Sequence, residues 1–449
     1  MPHEKNRVVA TGAAATVLSY QSGWISFLRR ISIWVLAIAC VYLFEFLWAC
    51  STRADQIDFS HYYVSALAMR QGTDPYVTNL KPMAMLLGLD VEGITVGTYP
   101  PTFLLCFEPL TLLSPLSAYW LWMGLNVLSL AIALYLLFDS FPKDTELRLA
   151  FTGLALLYAP VSENFFYAQT QILILLLLIL FARALKSGHD ALAGSLLAFA
   201  GLLKIFPLIL VGYLVLRRRG KTLLYTGLGL ILGGTITFAL VGVHRSLHFL
   251  YVLPFLTSPE WLTSLTNLNL GAMASHLLWM GSAGPGIQFA RRATVVIAEL
   301  TILALTVYAT LTSREQPARG DDHVFALWVA TAILLSPTVW MHYMVLLLIL
   351  FAVLLGHHLR GETSLRAAWF GAGSYLIAEL GMAFYLGIGQ LIDWSGTPPN
   401  WTRLPSLIAW PVSLLLAYAA AYFLAVDTTR SIATAGEESP RGSRRRELV

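Results

Sequence analysis

A short polar segment at residues 58–63, with the sequence DFSHYY, combines a carboxylate with an imidazole and two phenols. On a helix that begins there, Asp58, His61 and Tyr62 share a face at spacings of i, i+3 and i+4. A carboxylate so placed can accept a proton from a hydroxyl while its neighbours orient the reacting group. The alternative is structural, because Asp is common at the N-cap of a helix.

Lys204 is the only charged residue between Ala191 and Leu216. An ammonium group in an apolar run is a functional candidate, and it suits the phosphate of a lipid. The alternative is that the side chain snorkels to the membrane interface. Pro207 follows three residues later and favours a broken helix that lines a ligand site.

A third polar group lies at residues 336–343, with the sequence SPTVWMHY. Pro337 interrupts an apolar run, and His342 follows it, where an imidazole could hydrogen-bond a phosphate or a sugar hydroxyl. A membrane-interface belt of Trp, Tyr and His is the alternative. Two further polar pairs could bind sugar hydroxyls, although helix capping is favoured for them: Gln169 with Gln171, and Asn267 with Asn269.

The composition predicts an all-α polytopic membrane protein. The chain is 57% hydrophobic and only 12% charged, about half the charged fraction of a soluble domain, and its mean hydropathy is +0.68. The formal net charge of +4 is better explained by membrane orientation and lipid headgroups than by nucleic acid. No phosphate loop or dinucleotide motif is present, which disfavours a mechanism driven by ATP or by a cytosolic nucleotide sugar. We predict no cofactor, and a divalent metal is not indicated.

The chain is predicted to form one transmembrane domain, residues 31–426, between a cytoplasmic arm at 1–30 and a basic cytoplasmic tail at 427–449, which is expected to be disordered from residue 431. Two long outer segments, 51–117 and 244–288, are expected to carry amphipathic helices along the membrane interface. About twelve crossings are predicted, several of them shorter than the ~20 residues of a straight span. They are approximately 31–50, 118–138, 149–162, 171–186, 190–203, 204–216, 222–243, 289–311, 323–340, 343–358, 366–389 and 404–426.

Basic residues set the predicted orientation. Arg29 and Arg30 precede the first crossing, so the positive-inside rule puts the N-terminus in the cytoplasm and Asp58 on the outer side. Most other Lys and Arg residues between crossings fall in loops assigned to the cytoplasm, whereas Arg291 and Arg292 do not. Lys204 and His342 are then expected near the outer boundary, on the same side as Asp58.

Taken together, the motifs resemble the GT-C membrane glycosyltransferases, specifically glycosyltransferase family 87. The resemblance runs along nearly the whole hydrophobic region and rests on the order and spacing of short motifs. They are Asp58-Phe59-x-x-Tyr62-Tyr63, Gly72-x-Asp74-Pro75-Tyr76, Tyr99-Pro100-Pro101, Lys204-x-x-Pro207 and Ser336-Pro337-x-x-Trp340-x-His342-Tyr343.

The resemblance implies a GT-C fold and an inverting hexosyltransferase that moves a sugar, mannose by family default, from a polyprenyl-monophosphate donor to a hydroxyl of a lipid or glycan acceptor. It implies a multi-pass protein of the bacterial inner membrane whose site faces the periplasm. Asp58 would be the general base, and Lys204 and His342 would bind the donor phosphate. Substrate binding is assigned to His61, Tyr62, Tyr63, Tyr99, Gln169, Asn267, Asn269, Trp340 and Tyr343.

The chain departs from the family pattern in two places. Relatives often carry Gly-Gln-x-Asn where this chain has Ala168-Gln169-Thr170-Gln171, and Asn-x-Ser-Leu where it has Asn267-Leu268-Asn269-Leu270. Both departures bear on the preference for acceptor or sugar.

Two other functions fit a polytopic chain with isolated charges. A transporter or flippase of lipid-linked or hydrophobic solutes accounts poorly for two long amphipathic outer segments and for the lack of an internal repeat. A lipid-linked oligosaccharide ligase or polymerase would use outer-face residues but would consume a diphosphate-linked donor.

Overall fold

A computed structural model describes residues 2–437 apart from 53, 56, 90–95, 142, 257, 259–266, 279–284, 314–320 and 392–407. Every regular element within those residues is helical, which confirms the predicted all-α class. The predicted details of a GT-C fold stay a prediction. Most of the basic tail and parts of the second outer segment lie outside the described residues.

Nine helices of the described part precede Lys204. They are α1 (Pro2–Ala49), α2 (Ile57–Arg70), α3 (Lys81–Leu86), α4 (Pro101–Phe107), α5 (Pro115–Leu137), α6 (Thr145–Leu157), α7 (Ala159–Phe166), α8 (Gln171–Lys186) and α9 (Asp190–Leu203).

Ten more helices of the described part follow. They are α10 (Leu210–Leu216), α11 (Gly220–Val241), α12 (Val243–His248), α13 (Leu253–Leu256), α14 (Leu270–Leu278), α15 (Pro285–Thr312), α16 (Asp322–Leu334), α17 (Leu348–Leu359), α18 (Leu365–Leu391) and α19 (Trp410–Glu437). Short 3₁₀ helices join several of them, at Glu108–Leu112, Phe138–Ser140, Phe206–Ile209, Phe249–Tyr251 and Met341–Leu347.

Six helical segments of the described residues are long and apolar enough to cross a membrane. They are Ile25–Ala49, Pro115–Ser140, Gly220–Val241, Gln288–Thr312, Met341–Leu359 and Trp410–Asp427. The predicted count of about twelve crossings is therefore not confirmed. Several of the other predicted crossings correspond to shorter apolar helices, among them Asp190–Leu203 and Asp322–Leu334. Such helices are too short to span a bilayer unaided at 1.5 Å per residue.

Helix ends differ from prediction at both termini of the described chain. Helix α1 continues back through the predicted cytoplasmic arm to Pro2. Helix α19 continues to Glu437, so the prediction of disorder is wrong for residues 431–437. Both extensions follow from the cooperativity of helix formation, because each residue added to an existing helix gains a backbone hydrogen bond without a new nucleus.

The loops assigned to the cytoplasm meet at one end of the helices. Arg29 at the start of the first crossing pairs with Asp144, the N-cap residue of α6, at 2.7 Å. Arg217 after α10 is buried and pairs with Asp321, which precedes α16, at 2.8 Å. These loops therefore lie on a common side, as the positive-inside assignment requires. The side itself stays a prediction.

The two outer segments contact each other. Asp74, in the turn after α2, lies 2.6 Å from Nδ1 of His248 at the end of α12. Its second oxygen accepts the backbone N–H of Tyr76 at 3.0 Å, as expected of an Asp that begins a turn. Gly72 has a φ of 82°, a left-handed conformation that glycine adopts without strain. The turn after α2 and the end of α12 are thus held together.

Candidate active site

Asp58 lies in the first turn of α2, which begins at Ile57. A helix start at Ile57 does not fit the alternative in which Asp58 is the N-cap residue preceding the helix. The Tyr99 hydroxyl donates to Oδ1 of Asp58 at 2.9 Å. The carboxylate is therefore held by a side chain from a different part of the first outer segment.

Tyr99 is positioned by the turn at Asp74-Pro75-Tyr76. The Tyr76 hydroxyl donates to the backbone carbonyl of Tyr99 at 2.9 Å, and the Gly97 N–H donates to the carbonyl of Pro75 at 2.6 Å. A Cβ on Gly97 would lie 3.2 Å from the Ser65 hydroxyl and 3.3 Å from Pro75, so the close approach favours glycine. The turn thus fixes the position of Tyr99, which in turn hydrogen-bonds Asp58.

Gln169 connects three of the predicted site residues. Its Oε1 accepts hydrogen bonds from the Tyr62 hydroxyl at 2.9 Å and from the Lys204 ammonium at 3.2 Å. Gln169 also lies beside the Asp58 carboxyl and lowers the pKa of that group. One buried side chain therefore links the candidate base with the candidate cation.

The loop that carries Gln169 is tightly fixed between α7 and α8. Ala168 has a φ of 50°, in the left-handed region that costs a residue with a Cβ roughly 1–2 kcal/mol. The indole of Trp122 donates to the Ala168 carbonyl at 2.7 Å, and the Gln169 N–H donates to the carbonyl of Asn164 at 2.8 Å. A glycine, which relatives often carry at this position, would adopt the same backbone without that strain.

Lys204 lies at a break between two helices, as the sequence indicated. Helix α9 ends at Leu203, Lys204 is extended with φ −146° and ψ 134°, and the 3₁₀ helix that contains Pro207 follows. The ammonium lies 4.8 Å from the ring centroid of Tyr343, within the range of a cation–π interaction. Only 8% of Lys204 is exposed, so the side chain does not snorkel into bulk water.

His342 lies beside this cluster. Its ring centroid is 6.3 Å from that of Tyr167 and 5.3 Å from that of Tyr343. Both ring nitrogens are buried, and neither has a hydrogen-bond partner among the described residues. Buried polar groups are normally satisfied, so two unpaired nitrogens indicate a place for a ligand.

The other predicted substrate-binding residues lie farther from this centre or use their polar atoms elsewhere. The Tyr63 hydroxyl donates a hydrogen bond to the carbonyl of Leu113 at 2.7 Å. Oδ1 of Asn267 accepts the N–H of Val339 at 3.0 Å, and Oδ1 of Asn269 accepts the N–H of Ala272 at 2.6 Å. Asn269 thereby caps α14, the favoured alternative for that residue. These bonds support the loop before His342, and direct sugar binding by the two asparagines stays a prediction.

Two further residues of the predicted set flank the cluster. His61, one turn after Asp58, has a buried Nδ1 without a partner among the described residues, and burial lowers the pKa of its imidazole to about 4. His61 is therefore neutral near pH 7. Trp340 is partly exposed and immediately precedes the 3₁₀ helix that contains His342.

Sequence reasoning missed Glu163. It lies on α7, just beyond the predicted crossing at 149–162, close enough to Asp58 for the charge of that carboxylate to act on it. An acid at the outer end of a predicted crossing was the signal that could have identified it. A second acid contacts the same helix, because the carboxylate of Glu379 on α18 accepts the N–H of Ala159 at the start of α7 at 2.8 Å.

A cavity of about 500 Å³ lies nearby, between the chain that follows α1, the end of α3 and the start of α5. Thr52, Asp55, Leu87 and Ser114 are among the residues that line it, whereas Asp58, Lys204 and His342 are not. The cavity is therefore distinct from the cluster described above.

Opposing effects act on the protonation of Asp58. Burial raises the pKa of its carboxyl above the ordinary value, while Gln169, the hydrogen bond from Tyr99 and the charge of Lys204 oppose that rise. A raised pKa makes the carboxylate more basic, which suits proton abstraction from a hydroxyl.

The fold and this cluster define a helical membrane protein with acid, amide and ammonium groups gathered from distant parts of the chain. The chain belongs to glycosyltransferase family 87, whose family model matches residues 98–337, more than half of its length. No curated protein sequence matches the chain. Tyr99, Gln169 and Lys204 fall inside the matched residues, whereas Asp58 and His342 fall outside them. Family membership makes the chain a membrane glycosyltransferase and resolves the choice against a transporter.

Replacing Tyr99 with Phe is expected to move the acid limb of the pH profile of kcat/KM to higher pH. The substitution removes a donor that stabilises the ionised form of Asp58, so the pKa of that carboxyl rises. A base must be deprotonated to act, and activity is then lost at a higher pH than in the wild type.

Tyr418→Phe is a matched control, since its hydroxyl donates to the carbonyl of Ile302 at 2.9 Å and Tyr418 belongs to α19, outside the cluster. It should leave the acid limb in place. Identical profiles for Tyr99→Phe and the wild type would show that Asp58 is not the group that sets the limb.

Proposed function

We propose that this membrane glycosyltransferase transfers mannose from a polyprenyl-monophosphate donor to a hydroxyl of a lipid or glycan acceptor on the outer face of the membrane. The observation that carries the proposal is the position of Gln169, which accepts a hydrogen bond from the Lys204 ammonium and lies beside Asp58, so that a candidate base is near a candidate phosphate-binding cation. A base and a cation are the two groups that transfer from a phosphate-linked sugar requires.

In the proposed reaction, Asp58 takes the proton of the acceptor hydroxyl as its oxygen attacks the anomeric carbon. The bond from that carbon to the phosphate oxygen breaks, and the electron pair leaves with the polyprenyl phosphate. Attack from the face opposite the leaving group inverts the anomeric centre. Tyr99 orients the Asp58 carboxylate through its hydrogen bond.

Lys204 is proposed to bind the donor phosphate and to stabilise the charge that develops on it as the sugar leaves. An ammonium group in a water-excluded site acts more strongly on such a charge than it would in bulk water. His342 would donate a hydrogen bond to the same phosphate, since both of its ring nitrogens are buried without a described partner. The apolar helices around the break at Lys204 would accommodate the polyprenyl chain.

The proposal is tested with purified protein in nanodiscs. Polyprenyl-monophosphate mannose, the corresponding diphosphate-linked sugar and a nucleotide sugar are each supplied with a membrane lipid extract as the source of acceptor. We expect a labelled product from the monophosphate donor alone, and the glucosyl and galactosyl monophosphates test the assignment of mannose. Transfer only from the diphosphate-linked sugar would instead identify a ligase or polymerase.

A further inference from the structure

The mechanism proposed above leaves one acid near the site unused. Glu163 lies on α7, and its backbone carbonyl accepts the N–H of Tyr167, the residue that follows the helix, at 3.1 Å. The Tyr167 ring is 6.3 Å from that of His342, so the end of α7 lies beside the cluster. Oε2 of Glu163 is buried and has no hydrogen-bond partner among the described residues. A buried carboxyl oxygen without a partner is a group that a ligand can satisfy.

Glu163 and Asp58 have different surroundings. Burial raises the pKa of Asp58, whereas the hydrogen bond from Tyr99, the nearby Gln169 and the charge of Lys204 oppose that rise. Glu163 has no ion pair within the described residues, and burial together with the negative charge of Asp58 raises its pKa to about 8. Near neutral pH, Glu163 is therefore predominantly protonated. Because Asp58 has partners that favour its ionised form and Glu163 has none within the described residues, the two acids are suited to separate roles.

A protonated carboxyl offers one O–H donor and one carbonyl acceptor. A sugar presents hydroxyl groups that donate and accept in the same way, and a neutral acid pairs with them without repelling either the Asp58 carboxylate or a donor phosphate. An ionised carboxylate in the same place would repel both. The charge state and the unpaired oxygen therefore fit a polyol better than they fit a cation or a phosphate.

We propose that Glu163 is a sugar-binding residue, whose protonated carboxyl exchanges hydrogen bonds with hydroxyl groups of the sugar that the donor carries. This inference rests on the proposed function and extends it to the recognition of the sugar. Helix α7 holds the residue in place, because the carboxylate of Glu379 accepts the N–H of Ala159 at its first turn.

Two substitutions separate this role from others. Glu163→Gln keeps a neutral donor and acceptor of similar shape, and it should retain a KM for the mannosyl donor within a few-fold of the wild type. Glu163→Leu removes both polar atoms and leaves a sugar hydroxyl unpaired in a buried site. It should raise the donor KM about tenfold or more, with a smaller effect on kcat.

Deoxy sugars identify the contact more directly. Each donor in this series lacks one hydroxyl of the sugar. The wild type and Glu163→Gln should use the donor without the hydroxyl bound by Glu163 less well than the intact donor. Glu163→Leu should no longer distinguish that one donor from the intact donor, and should still discriminate against the others. A structural role for Glu163 would weaken all deoxy donors alike. Glu146→Leu, which removes an exposed acid of α6, is the matched control and should change none of these values.

Two results would overturn the role of Glu163. One is a loss of a hundredfold or more in Glu163→Gln, which would mean that the carboxyl exchanges a proton in the reaction. The other is a Glu163→Leu variant with unchanged donor KM and unchanged discrimination. Failure of the proposed function is distinguishable, because the wild type itself would then transfer nothing from the monophosphate donor. If Glu163→Leu does not fold, the donor KM and the deoxy-sugar discrimination of Glu163→Gln test the role of Glu163 in sugar binding.

Discussion

Asp58→Asn should lower kcat for sugar transfer by at least about two orders of magnitude. The amide has the shape of the carboxylate and can still accept the Tyr99 hydroxyl, which donates to Oδ1 at 2.9 Å. It cannot accept the acceptor's proton. Binding of the donor should persist, because the phosphate is assigned to Lys204 and His342. The measurement is single-turnover transfer with saturating donor, alongside donor affinity.

Asp55→Asn provides the matched control for that experiment. Asp55 is an exposed acid three residues earlier in the chain, and its neutralisation should leave transfer within about twofold of the wild type, as for most surface substitutions. An Asp58→Asn enzyme that works within tenfold of the wild type would exclude Asp58 as the base. Equal losses in the two variants would indicate a general effect of charge on the outer surface.

Lys204→Met should lower kcat by about 10²–10³-fold and weaken binding of the donor. The substitution keeps an unbranched side chain but removes the ammonium, so the leaving phosphate loses its cation. Gln169 keeps the hydrogen bond from Tyr62, and the local structure should survive. The loss of the cation also removes an interaction that favours ionised Asp58, so the acid limb should move to higher pH.

The leaving group gives a sharper test of Lys204. A sugar linked to a phosphate with a more acidic leaving group needs less stabilisation, so Lys204→Met should lose less activity with it than with the polyprenyl phosphate. Lys221→Met, which removes an exposed cation at the start of α11, should behave as the wild type does with both donors. A constant loss across donors would mean that Lys204 acts on folding or on substrate entry rather than on departure of the phosphate.

Long apolar segments were predictable from the sequence. The predicted crossings 171–186 and 190–203 coincide with α8 and α9, because each uninterrupted apolar run ends at polar or glycine residues. The crossing predicted at 149–162 is instead divided at Tyr158, where Pro160 forms the first turn of a new helix. Hydropathy responds to the apolar character of a run and is insensitive to such bends, so the count of about twelve crossings stays a prediction.

The site was only partly predictable for a different reason. Asp58, Lys204 and His342 were identified as candidates because each is an ionisable residue in or beside an apolar run. The hydrogen bond between Lys204 and Gln169, and the one that the Tyr99 hydroxyl donates to Asp58, join distant segments of the chain, and no local sequence pattern encodes them. Glu163 lacked a motif around it, and only its position relative to Asp58 reveals it.

The separation of Asp58 and Tyr343 along the chain has a consequence for biosynthesis. The ribosome delivers the candidate base early, whereas the ring beneath the Lys204 ammonium arrives after more than three quarters of the chain has been made. Until the 3₁₀ helix at Met341–Leu347 has been inserted, the cluster has neither that ring nor His342. With donor binding assigned as proposed, fragments that end before Met341 should transfer no sugar, and activity should appear only near the end of insertion.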